Sequence, residues 1–221
     1  MNKETKFINH LHLSTKRNYL ERVNNKKPKF MKNAKKYSFD YWDGTRKQGY
    51  GGYKYIPGRW KKTAEKIIKY YDLKAGSKIL DVGCGKGYLL YELMLIEPGL
   101  KIYGTDISAY AIKNSKKEVR KYLVKHDISN KLPFKNSYFD LVISLNTIHN
   151  LEIYNLENAI KEIQRVGKKK LIIVESYRNE KELFNLQCWA LTCQSFFSKM
   201  EWIWLFDNLD YKGDFEFIYF E

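Results

Sequence analysis

The stretch Ile79–Leu90, ILDVGCGKGYLL, passes from apolar strand residues through three glycines into an apolar helix. Glycine tolerates positive φ and lets main chain approach a ligand closely. In an open parallel sheet, ligands sit beyond the carboxyl ends of the strands, where such a turn lies. A dinucleotide, a phosphate group and a sulfonium cofactor all use glycine-rich turns. Spacing separates them in part. A phosphate-binding loop needs GxxxxGK[ST], and no such string occurs. The dinucleotide fingerprint needs GxGxxG, whereas Gly83, Gly85 and Gly87 read GxGxG followed by Tyr88. The turn alone does not decide among the three.

The surrounding pattern sets the fold. A strand at 78–82 feeds a helix at 87–96 that Glu97-Pro98-Gly99 closes. Further strands are predicted at 101–106, 121–127, 139–145 and 169–176, with helices at 109–119, capped by Ser108, and at 156–166. This alternation predicts an α/β, doubly wound, mostly parallel Rossmann-like sheet with helices on both faces. FDLVISL at 139–145 is apolar throughout, as a strand covered on both faces must be. Towards the end, 188–197 reads as strand or helix, Ser198 and Glu201 form a capping box, and 214–221 alternates like a strand. Ahead of the sheet, 59–73 carries Ala64, Ile67, Ile68 and Tyr71 at helical spacing, and Pro28 divides two helical stretches within 11–37. The expected organisation is a basic, aromatic-rich helical and loop extension over 1–58, acting as a substrate lid, and a cofactor-binding domain over 59–221.

Two carboxylates sharpen the ligand. Asp106 ends the second strand, where it can accept both ribose hydroxyls. Asp127 ends the third, where it can take the exocyclic amine of adenine with Ile128 against the ring. No basic group is expected near the turn to meet a pyrophosphate, so a nucleoside without phosphates is favoured. The alternative is that both acids cap the helices or turns that follow them. With these residues in place the chain resembles the class I S-adenosylmethionine-dependent methyltransferases, in the branch that includes the ubiquinone- and menaquinone-biosynthesis enzymes. ILDVGCGKGYLL resembles the first family motif, YGTDIS the second, and HDISNKLPFKNSYFDLVISLNTIHNL the third and fourth. The resemblance covers about residues 60–180. It implies S-adenosylmethionine as cofactor and S-adenosylhomocysteine as product. It further implies that Asp81, Gly83 and Gly85, with Cys84 and Gly87 of the same turn, surround the methionine moiety. Asp106 and Ile107 would hold ribose and adenine, Asp127 and Ile128 the adenine, and main chain near Ser144 and Asn146 would line the cofactor. Lys135-Asn136 departs from the acidic residue often found after Leu-Pro-Phe.

Composition bounds the rest. The formal charge is +15, with 20 Lys+Arg against 6 Asp+Glu in residues 1–75 and 20 against 19 in residues 76–221. A basic arm suits nucleic acid, an anionic membrane surface or an acidic small molecule. Lysines outnumber arginines 33 to 7, which compositional bias and a solvated face also explain. Three cysteines without CxxC spacing, and no metal-ligand pattern, fit a reducing, cytoplasmic setting with no metal. No apolar run reaches the roughly 18 residues of a transmembrane span.

Methyl transfer from a sulfonium needs alignment more than activation, so no fixed triad is expected. His149, just beyond the fourth strand, is the candidate base, against the alternative that it packs the loop. Tyr50 and Tyr53, with Tyr41, Trp42 and Tyr55, are candidates to wall the reaction from water. Arg59 is a candidate for the cofactor carboxylate or an acidic acceptor. The segment 37–60 is similar to part of methyltransferases of surface-polysaccharide assembly. The expected acceptor is therefore a small molecule, sugar-like or carboxylate-bearing, of surface glycan or lipid metabolism. Two other readings stand beside it: an RNA methyltransferase using the basic third, and a non-catalytic cofactor-binding regulator. The sequence fixes no oligomeric state.

Overall fold

The computed structural model describes residues 3–24 and 26–221. β1 (Lys78–Val82), β2 (Lys101–Asp106), β3 (Leu123–Lys125), β4 (Phe139–Leu145), β5 (Gly167–Ser176) and β6 (Asp214–Tyr219) form one sheet. Its order is β3-β2-β1-β4-β5-β6, and every neighbouring pair is parallel. The order reverses between β1 and β4, so the crevice at their carboxyl ends is where a ligand belongs.

Period-two alternation sends successive strand residues to opposite layers. Ile79, Ile143, Leu171 and Ile173 enter one core with Ile67, Leu90 and Leu93. Leu80, Val142, Ile172 and Val174 enter the other with Ile160, Trp202 and Phe206. The helices in chain order are α1 (Asn9–Leu13), α2 (Tyr19–Asn24), α3 (Lys27–Ala34), α4 (Phe39–Trp42), α5 (Lys61–Tyr71) and α6 (Tyr88–Ile96). They continue with α7 (Ala109–Lys113), α8 (Lys117–Arg120), α9 (Ile153–Val166), α10 (Glu180–Trp189) and α11 (Lys199–Asn208). No helix among the described residues is long and apolar enough to cross a membrane.

Two elements differ from the sequence-based expectation. The helix expected at 109–119 is two pieces, because the Asn114 and Ser115 side chains bond the carbonyls of Tyr110 and Ile112 and compete with the helical ladder. Residues 180–189 form α10, capped by the Asn179 side chain on Glu182 N–H at 3.0 Å; 190–198 is neither helix nor strand apart from a single bridge at Ser198. As expected, two helical stretches part at Pro28, which sits in the first turn of α3 after α2 ends, where its missing N–H costs nothing.

The leading segment is built into the sheet. Thr5 N–H donates to Phe215 O at 2.8 Å and Phe215 N–H to Lys3 O at 3.1 Å, along the outer edge of β6. The fully buried Glu216 carboxylate accepts the N–H groups of Phe7, Ile8 and Asn9 at the start of α1. Phe7 and Ile8 thereby join the first core. Replacing Glu216 with Ala leaves those amides buried and unpaired, and is expected to cost roughly 2–3 kcal/mol, on the order of 5–10 °C in melting temperature. Hydrogen exchange should localise the loosening to residues 3–17; a melting temperature within about 1–2 °C of wild type would discount the anchor.

Candidate active site

The carboxyl ends of β1, β2, β4 and β5 open into one cavity of about 700 Å³, roofed by residues from the leading segment. Gly83 and Gly85 line its floor with φ of +80° and +54°. A Cβ on Gly83 would run into the Thr147 side chain, and one on Gly85 would lie 2.8 Å from the Trp42 ring. Both glycines are thus required by conformation and by space.

Asp106 is 7 % exposed; one oxygen accepts Gly85 N–H at 2.7 Å and the other Ser108 N–H at 2.8 Å. Burial raises its pKa, and the two amides oppose the rise. Asp81 is 4 % exposed with Oδ1 buried and unpaired. Burial, then the Asp106 charge, pushes it up to about 7. Asn146, at φ +53°, also buries an unpaired Oδ1. On β3's side, Asp127 Oδ1 accepts Ser129 N–H and Oγ–H at 2.9 and 2.8 Å, so the turn-capping role holds one of its oxygens. Ile107 and Ile128 line the cavity beside these acids.

Two residues expected at the cofactor lie outside the cavity lining. Ser144 is fully buried within β4, because the strand's last inward position faces the layer beneath, not the crevice. Gly87, at φ +71°, is the N-cap of α6 and packs against Val119 and Leu123. Cys84 lines the cavity while its thiol, buried and raised by burial, lies against Gly104. The expectation of no basic group at the turn also fails. Lys86 is 3 % exposed, and its ammonium sits 2.7 Å from both oxygens of Asp43 and 2.9 Å from Tyr53 O. It is spent on the leading segment rather than on a phosphate.

That segment closes the roof. Trp42 donates its indole N–H to Ser108 Oγ at 3.0 Å and stacks on Tyr50 with centroids 5.3 Å apart. Tyr50 and Tyr53 are 4.6 Å apart, and Tyr88 donates to Tyr53 O. Burial raises the phenols of both Tyr50 and Tyr53, so they act as neutral donors and walls. Arg59 reaches the same cavity.

At the far end stand His149 and Glu175. His149 is 3 % exposed, in a short 3-10 turn (Ile148–Asn150), with Nε2 3.5 Å from Glu175 Oε2 and Nδ1 buried without a partner. Burial lowers His149 to about 3. Burial also raises Glu175 to about 7, against the pull of Arg17 and Arg22. Burial thus opposes charge on both groups and favours a neutral imidazole beside the carboxyl. Glu175 was missed in the sequence. Its signal was the acid of IIVES at the end of a buried strand, the same signal that marks Asp106 and Asp127. Arg17, Arg22 and Arg46 also line this end and had no motif to mark them.

Comparison with known proteins agrees with this geometry. A family model described as a methyltransferase domain matches residues 73–213. The mouse protein "Arginine-hydroxylase NDUFAF5, mitochondrial" is 34% identical over 110 residues, covering 49% of this chain and 31% of that protein. A malonyl-[acyl-carrier protein] O-methyltransferase of Legionella pneumophila is 39% identical over 79 residues, 34% of this chain and 28% of its own. The chain thus spans about a third of the length of these curated relatives. Among solved structures, the YcgJ protein of Bacillus subtilis superposes with TM-score 0.54 at 18% identity over 66% of each chain, which establishes the fold.

Asp81 supplies a direct test of the site's polar strain. Its carboxyl titrates near 3.8 in an unfolded chain and about 7 here. Between those values the folded protein holds a proton that the unfolded chain has released, so stability falls as pH rises and the full penalty stands above 7. Asp81→Asn is expected to raise the ligand-free melting temperature at pH 8 by on the order of 5 °C, with the gain shrinking towards pH 4. A gain independent of pH would contradict the buried-carboxyl account.

Proposed function

The chain belongs to the methyltransferase-domain family, and on that premise we propose that it transfers a methyl group from S-adenosylmethionine to a small-molecule acceptor held beside Glu175 and His149. One observation carries the reading: a single cavity runs from the glycine turn and its carboxylates to the His149–Glu175 pair beneath an aromatic roof. Its volume, about 700 Å³, lies in the range of sites for a nucleoside-sized ligand with a small partner.

The residues present fit the cofactor. The unpaired acceptors Asp81 Oδ1 and Asn146 Oδ1 suit the cationic amino end of its methionine part. Asp106 uses one lone pair of each oxygen on an amide and keeps the others for ribose hydroxyls. Asp127 and Ile128 suit the adenine, and Arg59 the carboxylate. When bound, S-adenosylmethionine supplies a methyl already activated on sulfur. The chain's own work is alignment, worth about 7–11 kcal/mol in favourable cases, and exclusion of water by Trp42, Tyr50 and Tyr53. Proton removal from the acceptor falls to Glu175 rather than His149, since a base with pKa about 7 matches a neutral working pH and one near 3 does not. His149 positions that carboxylate.

The relatives' printed activities differ, from arginine hydroxylation to methylation of a malonyl carrier protein and of tRNA carboxymethyluridine. They support the domain, not the acceptor. The RNA reading draws on the basic leading third and on that tRNA enzyme of Arabidopsis thaliana, 33% identical over 111 residues. The roof of Trp42, Tyr50 and Tyr53 favours a small acceptor, and a cavity continuing past the turn favours an enzyme over a regulator.

Calorimetry should detect binding of S-adenosylhomocysteine, and methyl-labelled cofactor incubated with a metabolite extract and with total RNA should label the metabolite fraction. Labelled RNA alone would move the assignment to the runner-up. With the acceptor in hand, Glu175→Gln is expected to lower kcat by about 100- to 10,000-fold with cofactor affinity kept. Wild-type turnover should rise with pH through about 7 as Glu175 loses its proton, and the variant should lack that limb. Undiminished turnover in Glu175→Gln would remove it as the base.

A further inference from the structure

The chain distributes its basic residues unevenly. Four of its seven arginines line the cavity, as against two of its 33 lysines. Compositional bias or a solvated face places lysines and has no reason to gather arginines inside. Three of the four, Arg17, Arg22 and Arg46, surround the Trp189 ring with guanidinium carbons 5.4, 4.3 and 4.9 Å from its centroid. Among the described residues the arginines paired with carboxylates are Arg165 and Arg178; these three have no such partner. Glu175 is the acidic group that acts on Arg17 and Arg22, which leaves two positive charges uncompensated even when Glu175 is ionised. His12 adds none at neutral pH. It accepts from Arg17 on Nδ1 at 3.0 Å and donates from Nε2 to Tyr219 O at 2.9 Å, and burial lowers it to about 4.

The guanidiniums are held in place by carbonyls. Arg22 donates Nε–H to Trp189 O at 2.7 Å and Nη1–H to Arg46 O at 2.6 Å, and Arg46 donates to Tyr50 O at 3.0 Å. Arg17 Nε is buried with no partner, and Arg22 Nη2 has none among the described residues. Like charges crowded on one indole repel, and burial lowers Arg17 and Arg22. Planar forks with spare N–H groups facing a cavity match an oxyanion in two-point contact, which ammonium groups do not.

We propose that Arg17, Arg22 and Arg46 around Trp189 form the acceptor subsite, and that the acceptor carries an oxyanion, carboxylate or phosphate, gripped there with its methyl-accepting atom towards Glu175. This rests on the methyl-transfer reading, and it assigns the acceptor class to the leading segment. It also separates the subsite from Arg59, left for the cofactor.

The test uses the full chain saturated with S-adenosylhomocysteine and titrated with malonate or inorganic phosphate. Wild type is expected to bind one of them saturably, with about tenfold or greater loss in Arg22→Gln and in Arg46→Gln. Arg46 is exposed, so its variant keeps the fold whatever Arg22→Gln does. Lys47→Gln, a neighbouring exposed charge outside the cavity, should bind like wild type, and S-adenosylhomocysteine affinity should be unchanged in all three variants. Preference for malonate assigns a carboxylate, and preference for phosphate assigns a phosphate. No saturable anion binding by the loaded wild type, or an equal loss in Lys47→Gln, overturns the subsite. Loss of S-adenosylhomocysteine binding in the arginine variants would hand those arginines to the cofactor and also overturn it. Failure of wild type to bind S-adenosylhomocysteine at all would instead sink the methyl-transfer reading.

Discussion

Asp106 is the joint on which the site depends. Its two oxygens hold the amides of Gly85 and Ser108, so one carboxylate at the end of β2 fixes both the glycine turn after β1 and the start of α7. Ser108 extends the chain of bonds, capping α7 through Ala111 N–H and accepting the Trp42 indole N–H. Turn, helix and roof are therefore oriented by a single buried charge. A carboxylate in that position is costly to bury, and the two amides are what hold its desolvation in check. Gly85 has no side chain because Trp42 occupies that space, which makes the roof and the turn mutually dependent.

The same economy ties the leading segment to the sheet. Glu216 on β6 holds the start of α1, and Asp43 holds Lys86 within the glycine turn. Both contacts join residues distant in sequence through a buried charge with its hydrogen bonds satisfied. Lys86 without Asp43 would be an ammonium in a nearly closed interior, a loss of about 3–5 kcal/mol for a broken buried pair. The roof is thus fastened at the glycine turn itself.

Much of this was legible in the residues, and the reason is local. Strand β1, the glycine turn and α6 are encoded within ILDVGCGKGYLL by alternation, positive-φ positions and an apolar helix face, and the Ser198–Glu201 box starts α11 where its pattern predicts. Where the reading fell short, a side-chain bond or a remote contact decided. Asn114 and Ser115 break a helix that propensity alone would continue, through bonds to carbonyls one turn back. Lys86 turns away from the ligand side because Asp43 awaits it, a pairing of residues far apart in sequence. The net charge of the leading third was plain, but nothing in a linear string marks which arginines meet around Trp189. Glu175 lay within reach of the rule that found Asp106 and went unread because IIVES resembles nothing but a buried strand.

The cavity also holds polar groups left unsettled. Asp81 Oδ1, Asn146 Oδ1, His149 Nδ1 and Arg17 Nε line it and are buried without partners. Unpaired buried acceptors gather beside the glycine turn, and unpaired donors gather around Trp189, so the two ends of one cavity ask for opposite complements. In the proposed reading a cationic amino group answers the first and an oxyanion the second. Each ligand removes a desolvation cost already borne by the fold, and occupancy therefore stabilises the folded state in proportion to RT ln(1 + [L]/Kd). The roof contributes to both ends, through Trp42 over Gly85 and Arg46 beside Trp189, so the two complements share one wall.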